Sequence, residues 1–234
     1  MNILVLGATG KTGRHFVEQA LAAGHTVTAF ARRVIDLPSH PRLVSVQADA
    51  FDVDAIDAAV AKQDAVVSLL GTRAWNHSLV CSVATQHVLA AMKRHGVRRF
   101  VCCSSFGVAD SAREVTWWSM KLVFATVLRE IFQDRARQEE LTRASDREWV
   151  IVRPVLLNDG PLTARYSVAT DGSIGGGWVS RADVAHFMLR ACSDPSFVHA
   201  APVVGPAPAL AQSPSSCSPS CSLSSLSSLS SRSS

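Results

Sequence analysis

The sequence lacks a long apolar segment: no apolar run approaches the roughly 18 residues that a helix needs to cross a bilayer. It also lacks a basic leader, since the chain passes from Met1 and Asn2 directly into an apolar stretch. We therefore expect no signal peptide, no membrane span and a cytoplasmic location. The formal net charge of +4 over 234 residues is mild and the arginines are scattered. This balance does not indicate a nucleic-acid partner, although it suits a small anionic ligand.

The cysteines form neither a metal-binding pattern nor a disulfide framework. Six cysteines are present, but no Cys-x-x-Cys pair or His/Cys cluster has the spacing of a zinc site. Cys81, Cys102, Cys103 and Cys192 lie in apolar stretches of a chain without an export signal. We expect these four to be buried, reduced thiols, and we expect no bound metal.

The last part of the chain differs in composition from the rest. Serine occupies 14 of the 22 positions from Ser213 to Ser234. Such a segment has too little apolar surface to offset the conformational entropy that is lost on ordering. We predict a single folded domain over residues 1–205 and a disordered low-complexity tail over residues 206–234.

Strand and helix patterns alternate along the predicted domain. Short, almost continuously apolar segments predict strands at residues 2–6, 26–31, 43–47, 65–70, 99–103 and 149–153. Amphipathic patterns between them predict helices at residues 12–23, 53–61, 79–94, 117–143 and 181–191. Apolar strands separated by helices are typical of a parallel sheet that is covered on both faces. The predicted fold class is α/β, a doubly wound Rossmann-like sandwich with its ligand at the carboxyl ends of the strands.

A glycine-rich loop links the first strand to the first helix. It reads Gly7-Ala8-Thr9-Gly10-Lys11-Thr12-Gly13, a G-x-x-G-x-x-G spacing. A Walker A loop would need glycine at position 5, where Val5 stands. Glycines permit unusual dihedrals and close approach of a phosphate, and the following helix N-terminus favours a pyrophosphate. The alternative is a glycine-rich turn without a ligand. We expect dinucleotide binding by Gly7, Thr9, Gly10, Lys11, Thr12 and Gly13.

The end of the second strand indicates which nicotinamide cofactor is bound. An NAD site usually places an acidic residue here to bind the ribose hydroxyls. This chain has Arg32 and Arg33 instead, and guanidinium groups form charge-assisted bonds to a 2′-phosphate. We predict NADPH (NADP) as the cofactor and Arg32 as its main contact, the alternative being two solvated loop arginines. Asp49, after the third strand, lies either beside the adenine or at the N-terminus of the next helix.

Further motifs follow in a familiar order. They are Gly71-Thr72-Arg73, Ser104-Ser105, Arg153-Pro154, Gly160-Pro161-Leu162-Thr163, Asp171-Gly172 and the segment 180–189. Together with the glycine loop, they resemble the NmrA-like NAD(P)H-binding group of atypical short-chain dehydrogenases/reductases. Within that group the resemblance is to the biliverdin-IXβ reductase and flavin reductase branch, and it covers about residues 1–205.

The resemblance implies an NADPH-dependent oxidoreductase that transfers hydride to a planar conjugated acceptor, a flavin or a biliverdin-type tetrapyrrole. It implies that Ser105 is the catalytic residue, with its hydroxyl near the nicotinamide and the acceptor. The partner is then a small molecule, and we expect a monomer or a weak oligomer. The resemblance also implies cofactor contacts from Leu70, Gly71, Thr72, Arg73, Pro154 and Leu156.

The chain departs from related patterns at three positions. Its only tyrosine, Tyr166, has Thr170 four residues later. The Tyr-x-x-x-Lys pair of short-chain dehydrogenases is therefore missing, which disfavours tyrosine-assisted carbonyl chemistry. Leu156 stands where the biliverdin reductase branch carries a histidine, and Arg135 stands where the group carries a helical lysine. Hydride transfer to a conjugated acceptor requires close approach and exclusion of water, so Ser105 is expected to orient and polarise the acceptor.

The sequence leaves two interpretations open. The apolar segment 116–132 suits a buried core helix, a roof over the ligand site, or a surface for a membrane or partner. The missing tyrosine–lysine pair is compatible with a reductase and also with a non-catalytic NADP(H)-binding redox sensor of the NmrA kind. A nucleotide-sugar epimerase is disfavoured by the same missing pair and by the chain length.

Overall fold

Ten strands and five α-helices lie in the parts of the chain that the computed structural model describes, residues 1–33, 36–71, 79–108 and 129–207. The strands are β1 (Asn2–Leu6), β2 (Thr26–Ala31), β3 (Leu43–Gln47), β4 (Ala65–Ser68), β5 (Arg99–Cys103), β6 (Glu148–Pro154), β7 (Leu156–Asn158), β8 (Tyr166–Ala169), β9 (Trp178–Ser180) and β10 (Val203–Pro206). The helices are α1 (Lys11–Ala22), α2 (Val53–Val60), α3 (Val80–His95), α4 (Arg129–Arg143) and α5 (Arg181–Ala191).

The main sheet has the strand order β3-β2-β1-β4-β5-β6-β10-β8. Its neighbouring strands are parallel except for β10 and β8. The order reverses between β1 and β4, which opens a crevice at the carboxyl ends of these strands. A separate sheet pairs β7 with β9 in parallel. The doubly wound, Rossmann-like α/β fold predicted from the sequence is thus confirmed.

The central strands are apolar along their whole length because both of their faces are buried. In β1, Ile3 and Val5 belong to one core, Leu4 and Leu6 belong to the other, and all four are fully buried. The first core also contains residues of α1 and α5, and the second contains residues of α2 and α3. The two cores therefore lie on opposite faces of the sheet.

Helix α4 packs through polar side chains. Its buried residues are Asp134, Gln138, Glu139 and Thr142. The carboxylate of Asp134 accepts hydrogen bonds from the backbone N–H groups of Cys81 and Ser82 at 3.0 and 2.9 Å, which caps α3. Glu139 forms a buried ion pair with Arg153 of β6 at 2.6 Å. Of the apolar segment predicted at 116–132, residues 116–128 lie outside the described residues.

The predicted strands and helices agree with the observed ones to within two residues wherever both ends are described. The fourth strand, for example, ends at Ser68 rather than at residue 70. The short strands β7, β8, β9 and β10 are not predicted by the sequence patterns. Strand β10 continues through Pro206, one residue into the range predicted as tail. Residues 208–234 lie outside the described residues.

The four cysteines of the folded part are buried and free, in agreement with the sequence prediction: Cys81, Cys102, Cys103 and Cys192. Burial raises the pKa of Cys81 to about 11 and that of Cys192 to about 12, so both thiols are protonated at neutral pH. Within the described ranges, no helix is both long and apolar enough to span a bilayer. The same ranges contain no cluster of three or more His, Cys, Asp or Glu residues arranged to hold a metal ion.

Candidate functional site

A cleft of about 850 Å³ opens at the carboxyl ends of β1, β2, β4 and β5, where the strand order reverses. This is the place at which doubly wound sheets bind their ligands. Most of the residues that the sequence analysis assigns to cofactor or acceptor meet along its walls. They are Gly7, Thr9, Gly10, Lys11, Thr12, Arg32, Asp49, Leu70, Gly71 and Ser105.

Glycine is required at two positions of the loop between β1 and α1. Gly7 has φ +80°, and a Cβ there would lie 2.7 Å from the carbonyl oxygen of Leu69. A Cβ on Gly13 would lie 2.2 Å from the carbonyl oxygen of Gly7. Gly13 is buried in α1 and does not line the cleft. Its place in the motif is explained by close packing of the loop on the helix, and its assigned cofactor contact stays a prediction.

The N-terminus of α1 faces the cleft. Gly10 is the N-cap residue and provides no side-chain hydrogen bond, so the first N–H groups of the helix are not capped by a side chain. Gly10, Lys11 and Thr12 all line the cleft. Free N–H groups, the helix dipole and the ammonium of Lys11 together give this wall a positive potential that suits a pyrophosphate.

Arg32 and Asp49 face each other at the β2 end of the cleft, with Arg32 Nη1 4.0 Å from Asp49 Oδ2. Both side chains are substantially exposed, at 62% and 40%, so this pair is weak and leaves the guanidinium accessible. Asp49 accepts a hydrogen bond from the N–H of Phe51 at 3.1 Å. The N-cap of α2 is Asp52, which accepts from Ala55 N–H at 3.0 Å. The alternative role considered for Asp49, a carboxylate at the N-terminus of α2, is therefore filled by Asp52.

An ion cluster bridges the edge of the cleft and is not foreseen in the sequence analysis. Lys11 Nζ lies 2.7 Å from Asp159 Oδ2, and the other oxygen of Asp159 accepts from Arg181. Hydrogen bonding from Lys11, together with the nearby charge of Arg181, holds the pKa of Asp159 below its ordinary value. Lys11 and Arg181 line the cleft. The cluster joins the glycine loop to the segment after β7 and to the start of α5.

The other end of the cleft is formed by the residues that follow β5. Ser105 lines it and is half-buried. The preceding Ser104 also lines it, is only 2% exposed, and has no hydrogen-bond partner for its hydroxyl among the described residues. A buried hydroxyl without a partner is costly, so its position beside the cleft suits a polar ligand group. Of this Ser-Ser pair, only Ser105 is assigned a role from the sequence.

Not every predicted site residue lies on the cleft. Pro154 is buried at the end of β6, and Leu156 is 41% exposed, and neither is part of the lining. Leu157, the next residue in β7, lines the cleft instead. Thr72 and Arg73 lie outside the described residues. The roles assigned to these four positions stay predictions.

The described residues fit a dinucleotide. A side chain at Gly7 would collide with the backbone of Leu69, and one at Gly13 with the backbone of Gly7. The N-terminus of α1 has no side-chain cap, and among the described residues the Ser104 hydroxyl has no hydrogen-bond partner. A long cleft with a positive wall at α1 and polar groups after β5 defines a Rossmann-type nucleotide-binding protein.

Comparison with known proteins agrees with this class. A family model described as NAD(P)H-binding matches residues 7–195, so the chain belongs to this NAD(P)H-binding family. It is 34% identical over 125 residues to 3 beta-hydroxysteroid dehydrogenase/Delta 5-->4-isomerase of Mycobacterium tuberculosis (strain ATCC 25618 / H37Rv), covering 48% of this chain and 34% of that protein. The chain thus matches about a third of the length of this curated relative.

Two solved structures show the same fold at low identity. One is a short-chain dehydrogenase/reductase of Veillonella parvula in complex with NADP, with a TM-score of 0.74, 20% identity and coverage of 87% of this chain and 94% of that chain. The other is ChuY, described as an anaerobillin reductase of Escherichia coli O157:H7, with a TM-score of 0.73, 22% identity and coverage of 88% and 97%. Together they confirm the Rossmann-like fold.

Proposed function

We propose that this protein is an NADPH-dependent reductase that transfers hydride to a planar conjugated acceptor, a flavin or a biliverdin-type tetrapyrrole. The observation that carries the proposal is that one cleft has a positively charged end, which suits phosphate, and a polar end. The first end is formed by the glycine loop and Arg32, and the second by Ser104 and Ser105.

The preference for NADPH is argued from the β2 end of the cleft. Arg32 and Arg33 directly follow β2, and both line the cleft. Of the carboxylates, only Asp49 belongs to the described lining, and it lies beside the Arg32 guanidinium. A 2′-phosphate placed here gains charge-assisted hydrogen bonds from guanidinium, whereas a bare ribose does not. Phe51, exposed by 45%, provides an aromatic ring at the same end for a flat base.

The residues at the other end are suited to orientation rather than to proton donation. NADPH, when bound, supplies the hydride. The described lining of the cleft contains no histidine, tyrosine or glutamate, and the Tyr166 hydroxyl is paired with His186 Nδ1 at 2.7 Å. Ser105, with Ser104 beside it, can hold a polar edge of the acceptor through hydroxyl hydrogen bonds. The proton that completes the reduction then comes from water, which a delocalised acceptor tolerates.

The related proteins support the general class and leave the acceptor to experiment. A structural neighbour binds NADP, and another is described as an anaerobillin reductase. Both are similar to this chain in fold. The proposed acceptors therefore rest on the polar end of the cleft and on the motif resemblance along residues 1–205, which is also the extent of the domain that we propose.

The experiment is an assay of NADPH oxidation with FMN, FAD and biliverdin offered separately, with NADPH binding measured on the same preparation. We expect tight NADPH binding and turnover with at least one acceptor. Binding without turnover would favour the second candidate, a non-catalytic NADP(H)-binding redox sensor. The observation that favours a sensor is the lack of a histidine, tyrosine or glutamate in the described lining.

A further inference from the structure

Arg135 of α4 connects the ends of two neighbouring strands at the base of the cleft. Its Nη2 donates to the carbonyl oxygen of Leu70, just beyond β4, at 2.8 Å. Its Nη1 donates to the carbonyl oxygen of Cys103, the last residue of β5. All three residues line the cleft. A single guanidinium group thus holds both strand ends.

The guanidinium is itself held in place from behind. Nη1 of Arg135 also donates to Gln138 Oε1 at 3.1 Å, and Gln138 Nε2 donates to Thr85 Oγ1 of α3 at 3.3 Å. Asp134, the preceding residue, caps α3 through two backbone N–H groups. The position of Arg135 relative to the sheet is therefore fixed by buried hydrogen bonds between α4 and α3.

Arginine is energetically unfavourable at this position unless the hydrogen bonds of its planar guanidinium compensate. The hydrogen-bond acceptors of Arg135 are two backbone carbonyls and one amide oxygen, with no carboxylate ion pair among the described residues. Arg135 is partly buried, and shielding a charge from water without an ionic partner is unfavourable. The planar guanidinium compensates because it offers several donors at fixed angles and can hold two carbonyl groups at a set separation.

We propose that Arg135 is a positioning residue for hydride transfer, an inference that rests on the proposed function. The carbonyl of Leu70 precedes Gly71, and both residues are predicted cofactor contacts. The carbonyl of Cys103 precedes Ser104 and Ser105 at the proposed acceptor end. By tying the two carbonyls together, Arg135 sets the distance between cofactor and acceptor. Misplacement by about 1 Å can cost roughly 100-fold in rate.

The test compares Arg135→Met, Arg135→Lys and the control Arg137→Met with the wild-type enzyme. Arg137 lies on the same helix, is 59% exposed and pairs with Glu140, so its removal is expected to leave activity unchanged. We expect Arg135→Met to lower kcat by about 10- to 100-fold while NADPH affinity stays close to that of the wild type, because phosphate contacts lie at the other end of the cleft. Arg135→Lys should recover part of kcat, because its ammonium can still donate to one carbonyl. The recovery should be incomplete, because one ammonium cannot hold both carbonyls as the guanidinium does.

A second readout separates positioning from a general loss of structure. With NADPH deuterated at the transferred hydrogen, the isotope effect on kcat should rise in Arg135→Met, because hydride transfer becomes slower relative to product release. An unchanged kcat in a folded Arg135→Met, or equal losses of kcat and NADPH affinity, would overturn the inference. If Arg135→Met does not fold, a wild-type kcat in Arg135→Lys would overturn it.

The two levels of the proposal fail differently. If the Arg135 variants turn over as fast as the wild type, the positioning role is refuted but the proposed reductase function still stands. Absence of wild-type turnover with every acceptor refutes the proposed function and, with it, the role of Arg135.

Discussion

Replacing Arg32 with alanine tests the proposed contact with the 2′-phosphate. A hydrogen bond to a charged group contributes about 1.5–3 kcal/mol. Arg32 is 62% exposed and stands 4.0 Å from Asp49, so solvent and the neighbouring carboxylate weaken its field. We therefore expect a loss of about 1–3 kcal/mol in NADPH binding, which is roughly a 5- to 150-fold increase in Kd. The affinity for NADH should change little, since NADH has no phosphate at this position.

The assay is an equilibrium titration of each protein with NADPH and NADH, followed by cofactor fluorescence. Arg94→Ala is the control, because it also removes one exposed guanidinium but acts on α3, where Arg94 pairs with Asp57 at 2.5 Å. It should leave both affinities unchanged. Equal weakening of NADPH and NADH by Arg32→Ala would refute the reasoning, since the loss would then not depend on the 2′-phosphate.

Further predictions concern the rest of the cleft. Ser105→Ala should lower turnover with little change in NADPH affinity, and unchanged turnover would make Ser105 a structural residue. Ser104→Ala should raise the melting temperature, because it removes a buried hydroxyl that has no partner among the described residues, yet it should weaken cofactor or acceptor binding. A higher melting temperature with unchanged or tighter binding would show that no ligand uses this hydroxyl. Gly13→Ala should destabilise the fold by about 1–3 kcal/mol in thermal or denaturant unfolding, since its Cβ would lie 2.2 Å from a backbone oxygen, and a wild-type unfolding curve would contradict the close packing. The pKa of the Asp159 carboxyl should lie below its ordinary value of 3.8, because Lys11 donates a hydrogen bond to the charged form. The ion pair with Lys11 therefore persists at neutral pH and is lost only as the pH falls through the lowered pKa. An NMR titration of that carboxyl checks this, and a midpoint at or above the ordinary value would contradict it.

The features predicted correctly from the sequence are those that short segments determine. Strands buried on both faces must be apolar throughout, so β1 to β6 are visible as apolar runs, and helices between them imply a parallel sheet. The spacing of the loop from Gly7 to Gly13 is likewise a local pattern, and the close contact of Gly13 is made within the loop itself, with the carbonyl oxygen of Gly7. Local chemistry therefore predicts the fold class and one end of the cleft.

The features that were missed depend on contacts between distant segments. Lys11 and Asp159 are 148 residues apart in sequence, and no local pattern pairs them. That the Ser104 hydroxyl has no partner in the described parts of the chain depends on its surroundings, which a Ser-Ser motif does not reveal. Helix α4 buries polar residues such as Gln138, contrary to the usual amphipathic pattern. Its role becomes visible only through the groups that it contacts on α3 and the strand ends.

The most direct test of the central claim is to form the complex of the wild-type protein with NADPH and then add FMN, FAD or biliverdin while cofactor oxidation is recorded. The account predicts that NADPH binds more tightly than NADH and that at least one acceptor oxidises it. Failure of the protein to bind NADPH, or a tight NADPH complex that no planar acceptor oxidises, would contradict the account.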